Sequence, residues 1–283
     1  GLGYGEWFLK NMQNKLRVLS LGAGVQSSTL ALMIQRGEIP MVDAAIFADT
    51  IGEPKLVYEW LDWLEKQLSF PVYRVNKGNL KQDILDTVKG ISKRYKNFIS
   101  VPVYTLNNQT GKKGLLRRQC TSEYKILPIN QKIRELLGLK KGEKRKKDTK
   151  VELIMGISYD EIYRVKKNWL SYIENIYPLI DMKMKRADCR GWMKKHNFSQ
   201  PPRSACTFCP YHNNEEWRDI KKNKTEWSEV VELDKAIRFG TKKSEDQVFL
   251  HNSCKPIDEV DLSDPIDDQL NLFDGLCEGY CGN

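Results

Sequence analysis

The 283-residue sequence has no apolar run approaching the length of a membrane span and no secretory signal pattern. A helical membrane protein and an exported one are therefore both outside expectation. Internal repeats and low-complexity segments are missing too, which removes repeat arrays and compositionally biased chains. Histidine is scarce. His196, His212 and His251 are the only three, and they read as structural residues, with His212 alone close to a cysteine pair. Two common phosphate-binding signatures are also lacking, the lysine-bearing loop and the spaced glycines of the dinucleotide fold. Seven cysteines in a chain with no signal pattern point to a reducing, cytoplasmic compartment. There, metal-binding or catalytic sulfur is expected before structural disulfides.

The most informative stretch runs from Arg17 to Leu30. It reads as a buried strand, a glycine- and serine-rich turn, and an apolar helix continuing through Leu32, Met33 and Ile34. A strand that passes through small residues into a helix N-terminus is an anion site, because backbone N–H groups and the helix dipole both face the ligand. Gly22 and Gly24 allow close backbone approach or positive φ, and Ser27 and Ser28 add hydroxyls. The plainer alternative is a strand–turn–helix in which glycine and serine serve only the turn.

Strand, helix, strand, helix, strand, helix is the order expected over the first 90 residues. The strands lie near Val18–Leu19, Val42–Ala48 and Pro71–Val75, the later helices at 55–68 and Leu80–Val88. This alternation predicts a doubly wound parallel sheet, whose ligands bind beyond the carboxyl ends of the strands. The turn at 20–28 and the Asp49-Thr50 turn both lie at such ends. Residues 90–118 read as irregular and basic, with a helix expected from about Ser122 to Leu137 and ended by Gly138. Val151–Met155 is a further central strand, and Ala187–His196 and Glu215–Lys222 are helix candidates. Residues 1–15 are set aside as an N-terminal extension or a remnant of expression, 16–180 as the nucleotide-binding domain, and 181–283 as a cysteine-containing C-terminal region with an acidic tail.

The net charge of +9 suggests an anionic partner. It is uneven: residues 140–150 form a basic run, read either as a solvated loop or as a nucleic-acid footprint. Residues 257–274 carry seven carboxylates, including Asp258, Asp267 and Asp268, and no lysine or arginine. Trp60, Trp63, Trp169, Trp192, Trp217 and Trp227 read as core or helix-packing residues rather than base-stacking platforms.

Sulfur supplies the other pattern. Cys206 and Cys209, followed by Pro210, suit a tight turn that grips a metal as cluster or zinc ligands, a redox dithiol, or a chance pair. Cys120 stands at a helix start, where the dipole favours a thiolate. Cys189 is either a further ligand or a small buried residue on a helix face. Cys254 reads as structural. Cys277 and Cys281 sit in the tail, as attacking thiols, as ligands, or as part of an inert end.

Taken in order, these motifs resemble the phosphoadenylyl-sulfate (PAPS) reductase-like family of the adenine nucleotide α-hydrolase, or pyrophosphate-loop (PP-loop), superfamily. The Ser20–Ser28 turn is similar to its Ser-Gly-Gly-x-Asp-Ser loop, but longer and with Gln26 where an acid is common. Ala48-Asp49-Thr50 resembles Asp-Thr-Gly, with Ile51 inserted before Gly52. Gly156 to Arg164 resembles Gly-x-Arg-x-x-Glu-Ser-x-x-Arg, with Ser158 at the first arginine. The resemblance implies a Rossmann-like, HUP-type sheet. It implies an adenine nucleotide, ATP with Mg2+ or a sulfonucleotide, at Ser20, Gly22, Gly24, Gln26, Ser27, Ser28, Asp49, Thr50, Gly156, Glu161 and Arg164, with Ser27 and Ser28 in the chemistry. It also implies that Cys120, before a Lys-x-x-Pro helix, joins Cys206 and Cys209 around a [4Fe-4S] cluster or zinc, with Cys189 or the tail completing the set. Two enzyme readings follow: adenylation of a nucleic acid or nucleotide and insertion of sulfur from a donor protein, or reduction of a sulfonucleotide by Cys281 with thioredoxin. A non-catalytic nucleotide-binding protein is the third reading.

Overall fold

In a computed structural model of the chain, residues 15–92, 100–240 and 246–263 are described. The chain opens with β1 (Lys15–Ser20), α1 (Val25–Gln35), β2 (Ala44–Ala48), α2 (Lys55–Gln67), β3 (Val72–Val75) and α3 (Leu80–Val88). Two short strands follow, β4 (Tyr104–Leu106) and β5 (Lys113–Leu115), then a π-helical turn, Thr121–Ile126, that runs into α4 (Leu127–Leu136). Next come β6 (Lys150–Met155), a 3-10 segment (Tyr159–Arg164), β7 (Ile173–Ile176), α5 (Pro178–Asp181) and α6 (Arg186–Lys195). The described part closes with α7 (Asn214–Lys222), α8 (Lys224–Ile237), β8 (Gln247–Phe249) and a 3-10 turn at Ile257–Glu259.

The main sheet has five parallel strands in the order β3-β2-β1-β6-β7. This is the doubly wound, Rossmann-like α/β arrangement, and its strand order reverses between β1 and β6, where such sheets bind ligands. Alternation along the strands assigns the two faces. Leu19, Phe47 and Ile154 join one core with Leu30, Leu61 and Met193 from α1, α2 and α6. Val18, Ile46 and Leu153 join the other with Ile129 and Ile133 of α4. Helix α1 is buried from Val25 to Ile34, its polar residues Gln26 to Thr29 in the first turns and its apolar ones from Leu30 to Ile34.

A second, antiparallel sheet of three strands, β5-β4-β8, lies in the region expected to be irregular and in a late segment assigned no strand. It belongs to a third core that gathers Ile84, Tyr124, Phe208, Trp217 and Leu233 with Cys206 and Cys209. Two further departures have local causes. Helix α8 directly follows α7, because Asn223 ends one helix and caps the next through Thr225 and Glu226 N–H groups. The helix expected from Ser122 begins instead as a wide π-turn. Pro128 has no N–H for the Tyr124 carbonyl, and its ring would crowd that carbonyl in a regular helix. Ile126 and its neighbours widen instead, and the Leu127 N–H reaches back to the Ser122 carbonyl. Among the described residues, no helix is long and apolar enough to cross a membrane.

Candidate functional site

The turn between β1 and α1 lies where the strand order reverses. Leu21 N–H continues the sheet onto the Ile46 carbonyl at 2.9 Å. Ser27 Oγ then accepts from Gly22 N–H at 3.1 Å, closing the turn over the helix start. Positive φ falls on Ala23, at 58°, and not on either flanking glycine: Gly24 is extended, with φ −89° and ψ −174°. Gly156, at the end of β6, shows why glycine is needed there. A Cβ at that position would sit 2.9 Å from the Ser27 backbone nitrogen, so any larger residue would push α1 away from the sheet.

Two polar atoms at this turn are buried without a protein partner among the described residues: Ser20 Oγ and Gln26 Oε1. Leaving a buried hydrogen-bonding atom unmatched costs about 1–3 kcal/mol, a cost that a polar occupant of the turn would offset. The other end of Gln26 is anchored, its Nε2 donating to Glu161 Oε2 at 3.2 Å and to Ser158 Oγ at 3.4 Å. Glu161 also pairs with Arg164 at 2.9 Å, and both side chains are nearly inaccessible. An acid at position 26 would face the buried Glu161 carboxylate, which the Gln26 amide instead meets as a donor. Ser28 is committed too, its Oγ accepting the Trp60 indole N–H at 3.0 Å.

The turn after β2 carries the second part of the site. Asp49 Oδ1 accepts from Ile51 N–H and from the Tyr58 hydroxyl, each at 2.7 Å. Burial, reinforced by the Asp49 carboxylate, raises the Tyr58 phenol far above its ordinary value. Ile51 takes φ 56°, a conformation that a β-branched residue adopts only under constraint. The Cys206–Cys209 turn docks on this segment. Thr207 N–H donates to the Gly52 carbonyl at 2.8 Å, and Thr50 Oγ1 lies 3.0 Å from Cys206 Sγ. A Cβ on Gly52 would come within 2.8 Å of the Phe208 ring.

Three residues assigned no role from sequence lock this junction. Buried Glu53 accepts from Ser204 Oγ at 3.2 Å and faces Lys125 Nζ at 3.7 Å. Lys125 reaches inward because the π-turn swings it there. The signal available in the sequence was Glu53 directly after Gly52 at a strand end.

The expected nucleotide residues Ser20, Gly22, Gly24, Gln26, Ser27, Ser28, Asp49, Thr50, Gly156, Glu161 and Arg164 all lie at or just beyond the carboxyl ends of β1, β2 and β6. An open cleft of about 850 Å³ shares Glu161 with this set, and there Arg186, Arg190 and Arg203 stand among the acids Asp160, Glu215, Glu216 and Asp219.

The cysteines divide. Cys120, Cys206 and Cys209 share the third core, whereas Cys189 is fully buried in the first, among residues such as Leu30 and Met193. Among the described residues, no group of three Cys, His, Asp or Glu side chains gathers closely enough to hold a metal ion. A centre with three protein ligands would draw on residues outside them. The His212 ring braces the cysteine turn, Nε2 lying 2.8 Å from the Cys206 carbonyl and Nδ1 3.2 Å from Glu216. Cys277 and Cys281 lie outside the described residues. One aromatic expectation is corrected: Trp169 lies in a bend, not a helix, and is 72% exposed, while Trp60 and Trp217 are buried as expected.

Fold and turn geometry together define a Rossmann-like α/β protein with its candidate site at the switch point. Among solved structures, the chain is similar to phosphoadenylyl-sulfate (PAPS) reductase from Candida auris in its phosphate complex. The identity is 14% over 69% of this chain and 79% of that one, with a TM-score of 0.37. No family model and no curated protein matches the sequence.

Proposed function

We propose that the chain binds an adenine nucleotide at the Ser20–Ser28 turn, in the manner of a PP-loop enzyme, and uses it for sulfur chemistry. The observation that carries this reading is the buried, unpartnered Ser20 hydroxyl at the switch point, under a helix N-terminus whose backbone N–H groups suit phosphate. In the favoured sequence of steps, a substrate oxygen attacks the α-phosphorus of ATP, giving an adenylate and releasing pyrophosphate. A sulfur nucleophile then displaces AMP. The chain's own contributions are positional. Ser27 holds the turn closed, Gly156 lets β6 approach it, and the Gln26–Glu161–Arg164 network fixes its flank. Asp49 would hold the magnesium ion that neutralises phosphate charge. Cys206 would present its thiol beside Thr50, on which its turn docks.

Pyrophosphate release from ATP tests the first step. The Ser27→Ala/Ser28→Ala double variant is expected to lose turnover while keeping its far-ultraviolet circular dichroism. Undiminished ATP consumption in that variant would overturn the assignment of the turn. Sulfite release from a sulfonucleotide, dependent on Cys281 and thioredoxin, would replace adenylation with reduction. Iron, acid-labile sulfide and zinc measured on protein purified without oxygen decide the metal. Zinc without sulfide would recast the cysteines as a clamp.

A further inference from the structure

A cleft of about 1350 Å³ opens on the side of the sheet covered by α4. One wall is the segment 138–147, bringing Lys140, Lys141, Lys144, Arg145 and Lys147 against the acids Glu135 and Glu143. The other wall is aromatic, formed by Trp169 and Tyr172. The Arg145 guanidinium lies 4.9 Å over the Tyr172 ring, whereas the Trp169 indole, 72% exposed, is open to a ligand face. A second cavity of about 440 Å³ continues from the first, sharing Leu127, Asn130 and Trp169, and reaches Arg164 and Met155 at the carboxyl end of β6. The two cavities thus form a basic path from the 138–147 segment to the edge of the nucleotide site.

Asn130 makes this path more than a charged surface. It lines both cavities and is only 6% exposed. Neither its Oδ1 nor its Nδ2 has a hydrogen-bond partner among the described residues. A buried amide offering an acceptor and two donors, unspent, beside an open indole face matches the edge and face of a nucleobase. A protein or peptide ligand would use the lysines, but it gives no reason for the indole and the amide to stand together.

We propose that this path binds single-stranded nucleic acid, with phosphates on the 140–147 lysines, one base stacked on Trp169 and its polar edge read by Asn130. The proposal rests on the function above only in naming the substrate class; binding itself requires no nucleotide at the Ser20–Ser28 turn.

The test is fluorescence anisotropy of the full chain with labelled twelve-residue homopolymers of RNA and DNA, without ATP, from 50 to 300 mM salt. Trp169→Ala is expected to weaken binding about 5- to 150-fold. The Lys140→Gln/Lys141→Gln/Lys144→Gln variant should reduce the salt slope by about two units. Asn130→Leu removes an unmatched buried amide, so it should fold at least as stably as the parent while flattening the preference among homopolymers. Absence of oligonucleotide binding at 50 mM salt would overturn the proposal. So would parent-like binding by the tryptophan and lysine variants, or equally tight binding of poly-glutamate. If oligonucleotides bind but ATP is never consumed, the adenylation reading fails and the nucleic-acid path stands. If ATP is consumed but no oligonucleotide binds, the path fails and the adenylation reading stands.

Discussion

Ile51 shows how a single position carries the cost of the site. Its φ of 56° places a branched side chain in the left-handed region, and 46% exposure means little burial offsets the strain. Asp49 holds the conformation by taking the Ile51 N–H, keeping the Thr50 hydroxyl on Cys206. Ile51→Gly is therefore expected to stabilise the protein by about 1 kcal/mol, seen as a higher urea midpoint with an unchanged slope. Ala23 takes the same backbone region but is fully buried, so glycine there would gain less. Neither strain was legible in the sequence. Glycines stand beside both residues, and the natural expectation was that the glycines themselves would turn the chain.

At the scale of elements, caps and breaks determine where the functional side chains arrive. Helix α7 starts with a reciprocal cap: Asn213 accepts from Glu216 N–H at 2.8 Å, and Glu216 accepts from Asn213 N–H at 3.1 Å. Because Glu216 also reaches His212 and Arg203, the cap steadies the cysteine turn. Asn213→Ala should cost about 1 kcal/mol in chemical denaturation and speed alkylation of Cys209. The long elements of the parallel-sheet region were readable because their periodicities are strong. Val151–Met155 alternates between the two cores, and α2 buries Val57, Trp60, Leu61 and Leu64 on one side. The short strands β4, β5 and β8 carry no such pattern in three residues each, and only pairing across distant sequence makes them strands. The π-turn was hidden for a different reason. Pro128 announced a disturbance, but a proline is met equally by a late helix start or by a widened turn, and the sequence does not choose between them.

At the scale of the molecule, the site exists only where separate parts meet. Glu53 comes from the connection after β2, Lys125 from the π-turn and Ser204 from the segment before the cysteine turn. Removing one charge from a buried pair leaves its partner poorly solvated. Glu53→Gln is expected to destabilise the protein by about 3 kcal/mol, and adding Lys125→Met should recover most of that loss. Urea unfolding of the three proteins checks it; equal stability of the single and double variants would mean the pair does not bind the parts together. The sequence revealed which residues gather at the switch point, since their motifs stand at strand ends. It did not reveal that Cys189 would part from the other cysteines, because helix α6 packs on α1 and carries it into the first core. Trp169 was misread because an indole normally seeks burial, and its exposure depends on the shape of the cleft around it.

The parallel sheet also sets when the site can come into being. Strand β1 finds one of its neighbours only at β6, Lys15 pairing with Lys150, and the turn after β1 is completed by Gly156 beyond that strand. A nascent chain has no half-built version of this site, because the pairing must close the whole loop from β1 to β6. A ligand bound at this turn would therefore capture only molecules in which β6 has already paired with β1, and would stabilise those alone.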